Sequence, residues 1–192
     1  MNNIEFARQK ILQIVATSNL PEDLPHAKNI LKWLLRLKPE ADESLRLAAL
    51  AHDIDRADEH TKVKRSDFKD YSSFKAAHAK HSAEILQLIL EECKVEKSVV
   101  EESCRLVLLH EVGGDDRSNL LMYADSISFF DVNLPHYFRR EGWEETLRRA
   151  IWGLKRIPNE LWSLIDNISF NNKDLTKIIN VAKKKVVDSA FR

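Results

Sequence analysis

The sequence predicts an all-α protein. The chain has only four Gly and five Pro in 192 residues, and its apolar residues recur at spacings of three and four, the period of a helix face, rather than two. Charged residues make up 31% and hydrophobic ones 44%, the balance of an ordinary globular protein with a polar surface. At this length one compact domain spanning 1–192 is the expectation.

The elements follow in order. A first helix is expected from about Ile4 to Thr17, stopping before Pro21-Glu22-Asp23-Leu24-Pro25. A second starts near Pro25, a residue suited to a first helical turn, and ends before Pro39. The third runs from near Asp42 through His52-Asp53. Periodicity then fails from Asp58 to Tyr71, a polar stretch read as a loop. Helices four and five cover roughly Ser73–Cys93 and Ser98–Val112, the latter closed by Gly113-Gly114 as a C-terminal cap. A sixth follows from about Ser118 to Asp131, and three or so more are punctuated by Gly142, Pro158 and Asn171-Asn172. A functional core is placed at about 20–131 and packing helices at about 132–192.

Composition excludes several classes of function. Lys plus Arg and Asp plus Glu number 30 each, so no global field recruits nucleic acid or an anionic membrane. No apolar run approaches the roughly 18–20 residues that span a bilayer. The start of the chain carries no secretory signal pattern, and Cys93 and Cys104 lack metal or redox spacing. A cytoplasmic protein with reduced cysteines is the expectation.

Against this plain background, five helices end their core-facing stripes on ionisable groups. His26 heads the line Ile30, Trp33, Leu37, and His52 closes the line Leu45, Ala49 with Arg56 one turn on. His78 leads Ser82, Ile85, Ile89; His110 ends Val99, Ser103, Leu106; Asp125 sits between Leu121 and Ser128. Buried ionisable groups are costly unless paired or bound to metal, so one shared polar pocket is the economical reading. Imidazole and carboxylate donors without thiolate suit a divalent ion such as Mn, Fe, Co, Ni or Zn in an open site, not a closed structural zinc.

The order of these residues resembles the HD superfamily of metal-dependent phosphohydrolases. That pattern has an early His, a His-Asp pair on a later helix and a downstream Asp, matched by His26, His52-Asp53 and Asp125. The context Tyr123-Ala124-Asp125-Ser126 and the two further histidines, His78 and His110, fit the same pattern. The resemblance covers roughly residues 20–131 and leaves the branch unassigned. Arg56 stands where nucleotidase-like members carry a carboxylate, and the Gly-Tyr-Pro signature of the cyclic-dinucleotide branch is missing.

What the resemblance implies is a single globular helical domain of the HD type with extra C-terminal helices. Its activity would be hydrolysis of a phosphomonoester or phosphodiester of a small molecule, a nucleotide among the candidates, with the metal activating the attacking water. His26, His52, Asp53 and Asp125 would be the metal ligands, for Mn, Fe, Co, Ni, Zn or Mg, with a second metal or the substrate phosphate at His78 and His110. His78, His110 and Arg56 would act in the reaction. Arg56, Arg65, Lys75, His81 and Arg117 would contact substrate, His81 being able to replace His78. Lys64, Arg65 and Lys75 flank the long loop, which can act as a phosphate-binding lid or remain a solvated charged segment. Glu111, Asp55 and Asp58 are candidate proton carriers. The expected partners are the small phosphorylated substrate and a second copy of the chain in a homodimer. The alternative is a non-catalytic metal- or nucleotide-binding regulatory module on the same fold.

Overall fold

A computed structural model describes residues 2–190. It is all-helical, with no strand among the described residues. The helices are α1 (Asn3–Val15), α2 (Asp23–Leu37), α3 (Glu43–Ala51), α4 (Tyr71–Glu92), α5 (Lys97–Leu109), α6 (Asp116–Ser128), α7 (Leu134–Lys155), α8 (Trp162–Asp166) and α9 (Lys173–Ala190). No helix among the described residues is long and apolar enough to cross a membrane. The chain divides into two compact units, Met1–Ala124 and Asp125–Arg192.

In the first unit, α3 is the central helix. Seven of its nine residues are buried, and α1, α2 and α5 all pack on it. The run Leu47-Ala48-Ala49-Leu50-Ala51 is apolar on every side, which is the pattern of a helix enclosed by others. Its alanines let neighbouring backbones approach closely. Helix starts are fixed locally: Asn2, Asp42 and Asp70 accept hydrogen bonds from the backbone N–H of Glu5, Leu45 and Ser73, each such cap being worth about 1 kcal/mol.

Two helix ends differ from the sequence expectation in the same way. α3 stops at Ala51 and α5 at Leu109, each capped by a histidine. His52 Nδ1 donates to Ala49 O at 3.2 Å and His110 Nδ1 to Val107 O at 2.6 Å. The imidazole takes up a carbonyl left over at the helix end, so the chain turns there instead of two or three residues later. A 3₁₀ turn, Ile54–Ala57, follows the first and a left-handed Gly113 (φ 67°) the second. The stretch expected as a loop is irregular except for another 3₁₀ turn, Arg65–Asp67.

The second unit holds the end of α6, a π-helical turn at Phe129–Asn133, and α7, α8 and α9. α7 and α9 pack together. α7 is broken at Gly142, whose φ of 74° and ψ of −169° only glycine adopts readily. Both cysteines are free thiols.

Candidate metal centre

Asp53 is the organising residue. It leaves α3 with φ −109° and ψ 20°, and this non-helical step turns its carboxylate between two sets of histidines. Oδ2 lies 3.3 Å from His52 Nε2 and 2.9 Å from Arg56 Nη2. Oδ1 lies 2.7 Å from His78 Nε2 and 3.8 Å from His110 Nε2. Burial would raise the Asp53 pKa, but the Arg56 charge and the His52 and His78 rings against it hold it well below the usual carboxylate range.

On the first side, His26 from α2 and His52 are 3% and 1% exposed. Their ring centroids are 5.2 Å apart, edge to face. A carbonyl can only accept, so the His52 Nδ1–H bond to Ala49 fixes the neutral ring's lone pair on Nε2, the nitrogen that faces Asp53. A void of about 10 Å³ lies beside His26, His52, Asp53 and Arg56, room for a single water or ion.

The second side gathers Asp53, His78 from α4, His110 and Glu111, with one donor atom from each lying within 4.8 Å of the others. His110 is fully buried, and its Nδ1 bond to Val107 O points Nε2 at Glu111 Oε1, 3.0 Å away. His78 is oriented from behind: Asp55 Oδ2 accepts from its Nδ1 at 2.8 Å. The other Asp55 oxygen accepts from His81 Nδ1 and from Val63 N–H. These bonds outweigh burial and lower the Asp55 pKa. Glu111 is ion-paired with Lys75, both side chains less than a tenth exposed.

The donor chemistry of both sides fits a divalent ion. Each has buried imidazole nitrogen, with a carboxylate kept ionised, and tautomers set by outer hydrogen bonds, the usual support of a metal-binding histidine.

The other expected site residues fall as follows. Arg56 spans from Asp53 to Asp23 Oδ1 at 3.4 Å. Arg56, Arg65, Lys75 and His78 line a cavity of about 290 Å³ next to the second side, whereas His81 reaches the site through Asp55. Arg117 does not line this cavity; its guanidinium is committed to Glu102 at 2.7 Å and Asp42 at 2.9 Å. Asp125 begins the second unit, where Arg156 holds its carboxylate at 2.9 Å. Asp58 is an exposed turn residue bonding His60 N–H and Thr61.

In the sequence Asp55 and Glu111 read only as proton carriers, and Asp23 reads as part of the break before α2. Asp23 lies three residues before His26, one turn away on the same helix face, and that spacing was the available signal. Asp23 also accepts from Ser18 Oγ at 2.6 Å.

The chain belongs to the family described as a domain of unknown function, DUF4202, whose model matches residues 7–153. That span contains every residue of the cluster. No curated protein and no solved structure matches the chain.

Proposed function

We propose that this protein is a metal-dependent phosphohydrolase acting on a small phosphorylated molecule, as the resemblance to the HD superfamily implies. The observation that carries the reading is the two-sided Asp53 carboxylate, with His52 on one oxygen and His78 and His110 on the other. His26, His52 and Asp53 would hold one divalent ion, and Asp53, His78, His110 and Glu111 a second. Bound metal supplies Lewis-acid activation of water and of a phosphoryl oxygen.

The chain's own groups account for the rest. Arg56 lines both the ion-sized void and the larger cavity, where its charge offsets that of a phosphoryl group. His78 faces the same cavity, and Asp55 fixes which nitrogen it presents. The site is set well inside the unit, with His78 2% and His110 0% exposed, which limits competing water.

The test is elemental analysis of protein purified without chelator, followed by a phosphatase and phosphodiesterase screen with Mn, Co and Ni. His52→Ala and Asp53→Ala are expected to lose bound metal and product release together. Full activity in either variant would overturn the assignment. Metal and nucleotide binding without any product would favour the regulatory module instead.

A further inference from the structure

The cavity beside His78 has cations at two depths. Its inner end holds Lys75, 7% exposed and paired with Glu111, and Arg56, paired with Asp53 and Asp23. Its outer rim holds Lys64 and Arg65, both exposed, on the irregular segment between α3 and α4. The rim cations form no ion pair among the described residues, whereas the neighbouring Lys62 is tied to Glu59. Arg65 gives one guanidinium N–H to Phe68 O, and Asp70, which feels its charge, is engaged in capping α4 through Ser73. The lining also includes apolar Phe74, stacked on His78, with Val63 and Leu20, and two carboxylates already engaged, Asp55 by His78 and His81 and Glu59 by Lys62.

We propose that this cavity binds a small ligand with two separated phosphate groups, one at the histidine cluster and one at Lys64 and Arg65, with a short organic spacer against Phe74. Resting on the phosphohydrolase reading, it narrows the substrate to compact bis-anions. A volume of about 290 Å³, at the small end of ligand sites, leaves no room for a long chain or a second nucleoside. The rim cations would discriminate substrates, because they meet only the distal group. A monophosphate leaves both of them in water, where they contribute little.

Non-hydrolysable probes separate binding from turnover. Propane-1,3-diyl bisphosphonate and propylphosphonate would be titrated calorimetrically into manganese-loaded protein. The bisphosphonate is expected to bind at least about tenfold tighter. In the Lys64→Gln/Arg65→Gln variant that preference should fall below about twofold while propylphosphonate affinity stays unchanged. The charge-keeping Lys64→Arg/Arg65→Lys variant should retain it. Equal affinity for the two probes, or a preference that survives loss of both charges, would overturn the proposal. Failure of every ester in the activity screen with the probe preference intact would instead count against hydrolysis alone.

Discussion

Asp55 holds His78 by its Nδ1 at 2.8 Å. This single bond decides which nitrogen of a buried ring faces Asp53, because the carboxylate accepts from Nδ1–H and leaves Nε2 on the cluster side. Asp55 also ties the backbone of Val63 to the same point. One carboxylate thus joins the cluster to the segment that walls the cavity.

Asp55→Asn is therefore expected to weaken divalent metal binding by about 10–100-fold, the usual loss when an outer partner of a metal-binding histidine is removed. Calorimetric titration with manganese would measure it. His81→Ala removes the other arm of the Asp55 interaction without touching His78 Nδ1, and its affinity should stay within about threefold of wild type. Equal losses in both variants would mean that Asp55 acts through general stability.

A second expectation concerns a strained helix end. Lys94 has φ 54°, a left-handed conformation that a side chain disfavours. It occupies the position after the cap of α4, where Val95 N–H donates to Leu90 O and Lys94 N–H to Glu91 O, the paired bonds of a Schellman end. Lys94→Gly should stabilise the protein by about 1 kcal/mol, read from urea unfolding. Destabilisation would show that the Lys94 side chain contributes more than its backbone costs.

Asp55 and Lys94 lie at the edge of what the sequence made legible. Helical periodicity revealed the stripes, and the groups at their ends are buried as expected: His26, His52, His78 and His110. Each is specified by spacing along one helix. Asp55 as an orienting group was not legible, because its meaning depends on α4 approaching the turn after α3, a contact between residues 23 positions apart. The ion pairs of Arg117 were not legible for the same reason. A helix-start Arg near the Gly pair reads as a ligand contact until α3's cap, Asp42, and Glu102 of α5 are found beside it. The left-handed Lys94 left no sequence signal, since Gly or Asn would be the usual choice.

The Arg117 network supplies a pH expectation. Asp115 lies at about pKa 2, below its ordinary 3.8, chiefly through its hydrogen bond to Arg105 and the N–H of Ser118, against a small opposing burial effect. A depressed carboxylate adds stability that is complete above its unfolded pKa and is lost as pH falls through the folded value. The loss should therefore run from about pH 4 to about pH 2. Asp115→Asn keeps the helix cap on Ser118 while removing the charge. Because the Asp115 side chain is 41% exposed, the difference from wild type should be under about 1 kcal/mol at pH 7. It should shrink at pH 2 and in high salt; a constant difference across that range would place the effect in packing.

The buried Lys75–Glu111 pair makes the largest energetic prediction. Two opposite charges less than a tenth exposed have lost most of their hydration, and each offsets much of the other's desolvation. Lys75→Met should destabilise the metal-free protein by about 3–5 kcal/mol, since it takes the Lys75 charge from the Glu111 carboxylate beside Asp53. Lys75→Met/Glu111→Leu should recover most of that loss, because an apolar pair of similar size carries no desolvation penalty. Manganese should separate the two roles of Glu111. If Glu111 is a ligand, metal stabilises Lys75→Met strongly, giving the carboxylate a cation in place of Lys75, and leaves the double variant far less affected. Equal metal stabilisation of both variants, in thermal unfolding with and without manganese, would remove Glu111 from the donor set.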